Sequence, residues 1–471
     1  MGDKLATMNQ THTCIRLLVA LIYINQMEVE EMKLIKHLII IDLDENKKML
    51  VNSLNGVVDQ IALPLYNVIS KWRELEIISP KNELEDALFA HLLKKGYIVN
   101  DHNEEQEKKD SIINILRERH KMWQNNRTLA VFIITYNCNF KCSYCFEGNN
   151  NQKESATLTP QQIDAALSIM GDSLEKVCFF GGEPLLLENM EVIEYIISKV
   201  SDKYFSMYTN GYNLAEFFPL FEKVKFDNII VTLDGDECTH DKRRCMNDGG
   251  PTFKKIVSGI ELYLKNNVRI IIRVNTNKDN IKEVDDLRNK LIRKFESYLD
   301  NLSFEVAPMI NESIEKKYDM IAEMFEIDFN YSQEEKARRN RFNVGNKDLI
   351  DLFTTELNQL TPRYSFCSAH VNTMAFDPYG DIYSCLVAVN NKNVSIGTYY
   401  PELRYKEESM YTRNIETIPE CASCIYAFLC GGGCAMSVPN KSSILNPACK
   451  STMLQMHSLI PRYYKTVEAR K

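Results

Sequence analysis

The chain of 471 residues reads as an α/β protein built on a parallel sheet with right-handed crossovers. Apolar, β-branched runs near 129–136, 177–181, 203–209, 228–234, 268–276 and 302–308 alternate with helix-like stretches near 160–171, 189–201, 213–223, 253–266 and 280–297, which implies six β/α units. A composition that is 45% hydrophobic and 25% charged is that of an ordinary soluble globular protein, at a length that implies more than one domain. A net charge of −8 argues against a general nucleic-acid or anionic-membrane partner.

Before the first β/α unit the chain carries a separate pattern. The apolar run Leu17–Ile24 is too short to span a bilayer and lacks a cleavage site, so it is expected to be a buried element. His37–Leu43 and Lys48–Asn52 read as paired strands around the polar turn Asp44-Glu-Asn-Lys47. Helices are predicted over Val57–Leu75 and Glu83–Lys94, and a short strand over Gly96–Val99. Asp101–Arg127 is charge-rich with Ile112, Ile113, Ile115 and Leu116 at helical spacing, as a linker helix would be.

Ten of the 14 cysteines fall into two sets. In the first, Cys138-Asn-Phe-Lys-Cys142-Ser-Tyr-Cys145 follows the apolar run Leu129–Tyr136 and therefore lies in a loop after a buried strand, where a barrel enzyme places its chemistry. Three thiolates serve a [4Fe–4S] cube that needs four, so one iron is left open to a small molecule. A structural zinc site is the alternative for thiolates at such spacing. Further on, Val177-Cys-Phe-Phe runs into Gly181-Gly182-Glu183-Pro184, where glycines let backbone approach a ligand closely. Tyr208-Thr-Asn210-Gly211, Thr232-Leu-Asp234-Gly235 and His240-Asp-Lys-Arg-Arg244 follow in turn.

These motifs resemble the radical S-adenosylmethionine (SAM) superfamily. The resemblance implies an open, partial (β/α)6 TIM-like barrel whose cluster binds SAM at the open iron and cleaves it to a 5′-deoxyadenosyl radical. Cys138, Cys142 and Cys145 are then the catalytic cluster ligands. Tyr144, Phe146, the Gly181, Gly182, Glu183 and Pro184 motif, Asn210, Thr232, Asp234 and Arg244 (or Arg243) become candidate SAM contacts, with Arg244 offering a planar fork to a carboxylate. For either arginine a solvated basic turn is the plain alternative.

The second set, Cys367-x12-Gly380-x4-Cys385, then Cys421-x2-Cys424-x5-Cys430-x3-Cys434 and Cys449, resembles the SPASM extension. Asp377-Pro-Tyr-Gly380 is a good turn for a hairpin, and Cys430-Gly-Gly-Gly-Cys434 lets backbone fold around inorganic sulfur. By resemblance Cys421, Cys424, Cys430 and Cys449 bind a distal auxiliary [4Fe–4S] cluster, and Cys367, Cys385 and Cys434 a nearer one, giving three clusters in all. The fourth ligand of the nearer cluster is open: His370, or a substrate thiolate. Zinc is again the alternative here, and disulfides are disfavoured because the chain shows no secretion signal. Cys14, Cys178, Cys238 and Cys245 stay unassigned, Cys178 being a core residue by its strand setting.

Short strands, helices and a returning strand in the first hundred residues resemble the small winged-helix element by which peptide-modifying enzymes bind leader peptides through strand addition; a dimerisation or packing domain is the alternative. The expected domains are 1–105 for this recognition module, 106–128 for the linker helix, 129–310 for the barrel, 311–366 for a bridging region, 367–450 for the SPASM domain and 451–471 for a C-terminal helix. The resemblance implies a cytoplasmic radical SAM oxidoreductase that matures a ribosomally made precursor peptide, forming thioether cross-links of the sactipeptide or ranthipeptide kind. Its partners would be that peptide and an electron donor such as flavodoxin or ferredoxin, with no nucleic acid and no membrane. The alternatives are a formylglycine-forming sulfatase-maturing enzyme, which the Leu386 after Cys385 disfavours because those relatives often carry aspartate there, and a non-catalytic iron–sulfur peptide-binding or electron-carrying protein.

Overall fold

The computed structural model describes residues 32–145, 156–222, 224–328, 359–438 and 443–469. The expected Leu17–Ile24 element, Cys14 and Phe146 lie outside the described residues.

Six strands, β6 (Leu129–Ile133), β7 (Lys176–Phe180), β8 (Tyr204–Thr209), β9 (Lys225–Thr232), β10 (Ile270–Thr276) and β11 (Leu302–Pro308), pair in parallel in sequence order. Helices Pro160–Met170, Met190–Lys199, Leu214–Phe221, Phe253–Lys265 and Val284–Lys294 follow the first five strands within a few residues of the periodicity, and Ile314–Asp328, for which no helix was expected, follows the sixth. Alternation along each strand decides the faces. Ala130 and Phe132 on β6, Val177 and Phe179 on β7, and Phe205 and Met207 on β8 pack outward in the main core with Phe217 and Ile260 of the surrounding helices. Val131, Ile133, Cys178 and Phe180 point to the opposite, concave face. Truncating one of the fully buried phenylalanines, such as Phe132 or Phe179, would cost about 3–5 kcal/mol.

The C-terminal region extends the same sheet at its β6 edge. Here β12 (Thr373–Phe376) adds to β6 in parallel, Thr373 opposite Leu129 and Phe376 opposite Phe132, and turns back as β13 (Asp381–Tyr383). With β14 (Gly397–Thr398) and β15 (Arg404–Tyr405) the sheet reaches ten strands. Ala375, Tyr383 and Val389 fill the concave face beside Val131, Ile133 and Cys178. The hairpin turn is braced by Asp377, which accepts from the Tyr379 and Asp381 amides and from Tyr136 Oη at 3.1 Å. Gln162 does double duty: it completes a capping box with Thr159 and donates to Pro378 O at 2.9 Å.

At the N-terminal end, β2 (Leu38–Asp42), β3 (Lys47–Asn52) and β4 (Val58–Ala62) form an antiparallel sheet, while β1 (Lys33–Leu34) pairs with β5 (Ile98–Val99). The third strand corrects the expected helix over Val57–Leu75. That helix starts only at Leu63, where Pro64 sets its first turn, and Val58 to Ala62 continue the sheet instead. One face of the sheet packs under Trp72, Phe89 and Leu92; the other packs on Met456, Ile460 and Tyr464 near the C-terminus. The linker helix spans His102–Asn125 and is not a free connector, since Ile112, Ile113 and Leu116 pack with Ile415, Ile418 and Phe428. Ile115, expected on the same apolar face, is exposed. The C-terminal helix is divided, with Cys449–Leu454 and Ile460–Glu468 separated by a π turn over Gln455–Leu459. Among the described residues no helix is long and apolar enough to cross a membrane.

Glu105 joins the N-terminal module to this helix. Only 3% exposed, it accepts from the Lys36 amide at 3.0 Å and from the amide and Nδ1 of His37 at 3.0 and 2.7 Å. Burial alone would raise its carboxyl, but those hydrogen bonds outweigh it and hold the group down at about 2. A carboxyl depressed below its ordinary value stabilises the fold at neutral pH and loses that contribution as pH falls from about 5 toward 2. Urea unfolding of Glu105→Gln is expected to show a loss of about 2 kcal/mol at neutral pH, shrinking toward zero near pH 2; a pH-independent difference would contradict it.

Candidate active site

The tips of β6 to β11 surround a cavity of about 450 Å³. Of the residues singled out in the sequence, Cys138, Cys142, Tyr144, Cys145, Gly181, Gly182, Asn210, Thr232 and Arg244 line it. Glu183, Pro184 and Asp234 do not.

Local backbone explains how three cysteines meet here. The loop after β6 is zipped to the segment after the helix Glu237–Arg243: Lys141 N donates to Cys245 O, Ser143 N to Arg243 O and Asn247 N to Asn139 O. Against it lies Gly181-Gly182, whose amide at Gly182 donates to Thr135 O. A Cβ on Gly182 would stand 2.3 Å from Asn137 O and 2.5 Å from Tyr136 O, and one on Gly181, at φ +133°, 2.2 Å from Thr135 O. Glycine is required at both places because the two loops touch backbone to backbone. Burial pushes the Cys138 thiol up to about 12, with the nearby Glu183 carboxylate adding to the shift, and burial raises Cys142 as well.

The carboxylates act as braces. Glu183, 1% exposed, accepts from Leu185 N at 2.9 Å, Thr209 Oγ1 at 2.6 Å and Asn210 N at 2.6 Å, which fixes the loop that carries Asn210. Asp234, fully buried, accepts from Tyr144 Oη and from Asn275 N at 3.0 Å. The oxygens of Glu183 and Asp234, expected from the sequence among the SAM contacts, accept from protein donors. Arg243 and Arg244 also separate. Arg243 lies over the Tyr144 ring and donates to Asn275 O and Asn277 Oδ1, a structural role. Arg244, in place of the solvated turn, is 8% exposed, donates from Nη1 to Tyr144 Oη at 2.7 Å, and leaves its buried Nε without a partner. A buried cation with an unpartnered donor is costly without negative charge nearby.

Leu386 also lines the cavity, as do Asn275, Arg273 and Lys317, which were missed in the sequence. Asn275 and Arg273 could have been found from their place near the tip of the fifth strand; Lys317 carries no local signal. Arg273 is paired with Glu305, its register partner on β11, at 2.5 Å.

The C-terminal cysteines group in space. The thiols of Cys421, Cys424, Cys430 and Cys449 interact with one another electrostatically, and those of Cys367, Cys385 and Cys434 form a second group. Thr452 Oγ1 donates to Cys430 Sγ at 3.0 Å. His370 is buried, its ring held near 4 by burial, with Nδ1–H donated to Met410 O at 2.7 Å. Leu386 and Val387, directly after Cys385, line the cavity, whereas Cys367, Cys385 and Cys434 themselves do not. All described cysteines are free of disulfides. Among the described residues no three His, Cys, Asp or Glu side chains converge as the ligands of one metal ion do, and a cube of four irons spreads its thiolates over separate corners. Soft thiolate sets beside a glycine cradle fit iron–sulfur ligation.

Gly182→Ala is predicted to lower the stability of the iron-free protein by about 1–3 kcal/mol through the backbone clash, read by urea unfolding. Wild-type stability in that variant would show that the two loops can separate freely.

Residues 132–291 match the family model described as the Radical SAM superfamily. An uncharacterized protein of Methanocaldococcus jannaschii is 28% identical over 280 residues, which cover 55% of this chain and 88% of that protein. A cysteine-type anaerobic sulfatase-maturating enzyme of Clostridium novyi is 25% identical over 164 residues, or 32% of this chain and 44% of that one, so the chain spans less than half the length of that relative. Two solved structures share the fold. Native anSMEcpe with bound AdoMet gives a TM-score of 0.53 at 20% identity, covering 73% of this chain and 100% of that one. Streptococcus suis SuiB bound to S-adenosylmethionine gives 0.53 at 15% identity, covering 89% and 99%. Residues 132–291 carry a radical SAM domain.

Proposed function

We propose that this radical SAM enzyme matures a ribosomally made precursor peptide, with thioether formation from a cysteine sulfur to carbon as the leading product. The observation that carries the reading is that Leu386 and Val387, which directly follow Cys385, line the same cavity as Cys138, Cys142 and Cys145. Two neighbours in fold support a peptide partner: anSMEcpe has been solved with AdoMet and Cp18Cys peptide, and SuiB with its precursor peptide SuiA.

When bound, SAM and its cluster would supply a 5′-deoxyadenosyl radical able to take hydrogen from carbon. The chain's part is to hold and aim. Cys138, Cys142 and Cys145 would ligate the first [4Fe–4S] cluster, and the backbone of Gly181 and Gly182, with Asn210, Thr232 and Tyr144, would form the SAM cradle. Arg244 Nε would take the SAM carboxylate, while Glu183 and Asp234 keep Asn210 and Tyr144 in place. Cys421, Cys424, Cys430 and Cys449 would hold the distal auxiliary cluster and Cys367, Cys385 and Cys434 the nearer one. No cysteine follows Cys367 in Ser368-Ala-His370, which leaves the fourth place to a substrate thiol. The six-strand arc serves as an open partial barrel, and the C-terminal region as a SPASM domain. The sheet β2 to β4 with its helices acts as a winged-helix-like leader-recognition module working by strand addition. We place the reaction in the cytoplasm, with flavodoxin or ferredoxin as electron donor.

A formylglycine-forming sulfatase maturase is the second reading, favoured by the Clostridium novyi relative and disfavoured by the apolar Leu386 on the cavity wall.

Anaerobic incubation of the reconstituted protein with SAM, dithionite and short peptides encoded beside it, followed by high-resolution mass spectrometry, separates these readings. A loss of two hydrogens with fewer free thiols is expected. Unmodified peptides beside abundant 5′-deoxyadenosine would reject those peptides and turn attention to sulfatases, and absence of 5′-deoxyadenosine would contradict the radical chemistry altogether.

A further inference from the structure

Between the two halves of the C-terminal cysteine set, in the cysteine-free stretch from Leu386 to Glu420, stands Arg413. Its side chain is fully buried. Nε donates to Ile444 O at 2.7 Å, Nη1 to Gly433 O at 2.7 Å, and Nη2 to Gly432 O at 2.6 Å and Asn446 O at 3.0 Å. All of these acceptors are main-chain carbonyls, and among the described residues no carboxylate lies within ion-pair distance of the guanidinium. Gly432, at φ +85°, has no room for a side chain, since a Cβ there would stand 2.4 Å from Ile418 Cδ1 and 3.1 Å from Arg413 Nη1.

A desolvated cation without a counter-ion is costly unless negative charge surrounds it. The groups that interact with it electrostatically are Cys421, Cys430, Cys434 and Cys367, drawn from both spatial groups, and these sulfurs carry negative charge only as thiolates. The loop it grips, Gly431 to Gly433, joins Cys430 of the four-thiol group to Cys434 of the three-thiol group. Carbonyl bonds alone would be served by any multiple donor, whereas the permanent charge needs the anionic surroundings that thiolate-bound clusters create.

We propose that Arg413 is the positioning residue between the two auxiliary clusters, fixing their separation through the glycine loop and raising both potentials by its buried charge. This rests on reading the seven C-terminal cysteines as cluster ligands. Reduction adds one electron, and so one negative charge, to a cluster; a fixed positive charge nearby favours that reduced form. The cluster at Cys138, Cys142 and Cys145 does not share this neighbour, because the cation beside Cys138 and Cys142 is Arg244.

The test is an EPR-monitored redox titration of the anaerobically reconstituted full chain and of Arg413→Met and Arg413→Lys. At a fixed applied potential the reduced-to-oxidised ratio of the auxiliary clusters is expected to fall at least tenfold in Arg413→Met, about 59 mV for a one-electron couple. Arg413→Lys, which keeps the charge, should stay within about threefold of wild type, and the SAM-side cluster should not move in either variant. An iron-replete Arg413→Met that titrates like wild type, or shifts all clusters alike, overturns the proposal. If the Met variant fails to load, Arg413→Lys decides: a tenfold fall despite retained charge also overturns it. Wild-type protein holding about 4 irons per chain in place of about 12 would instead overturn the reading of the cysteines on which the proposal rests.

Discussion

The parallel pairing of β12 with β6 is the constraint on which the rest depends. Cys138 follows β6 by a few residues, and Cys367 and Cys385 flank the β12–β13 hairpin, so one stretch of backbone hydrogen bonds sets the distance between the two cysteine sets. Side-chain contacts reinforce the register. Tyr136 stacks on Tyr379 with centroids 5.8 Å apart, and Ala375 and Tyr383 occupy the concave face beside Val131 and Ile133. A slip of one residue in β12 would turn Ala375 outward and Met374 and Phe376 into that face, which the alternating pleat makes prohibitive.

Within this frame the site is organised by buried polar groups that spend their bonding capacity on protein. Glu183 and Asp234 hold loops, Arg243 holds the floor beneath Tyr144, and Arg244 keeps a buried Nε without a hydrogen-bond partner. Such preorganisation matters for radical chemistry, because a reactive carbon radical must be formed only where its target is already in place. The apolar Phe180, Met309, Ile310, Leu386 and Val387 complete the enclosure.

Much of this was legible in the sequence because its signals are local. Buried parallel strands are continuous apolar runs, and β11 ends where its pattern ends; the thiol spacing within Cys138–Cys145 and Cys421–Cys434 reports loops that close on themselves. What escaped depends on tertiary partners. Val58–Ala62 has helix-compatible residues and becomes a strand because β3 offers an edge and Pro64 delays the helix. The sequence singled out Glu183 as a SAM contact but showed none of its three protein donors, two of them more than twenty residues away. Arg413 and Lys317 sit in no motif, and their surroundings come from segments far along the chain.

If Cys138, Cys142 and Cys145 carry an iron open to SAM while the seven C-terminal cysteines serve closed or substrate-facing clusters, the two sets must respond differently to SAM. EPR of the dithionite-reduced protein before and after adding SAM tests it most directly, using wild type and a variant with those three cysteines changed to alanine. The account predicts that SAM alters one cluster signal in wild type and that this signal is missing from the variant, which keeps the auxiliary signals. A wild-type spectrum indifferent to SAM, or a SAM-dependent change that survives in the variant, would contradict it.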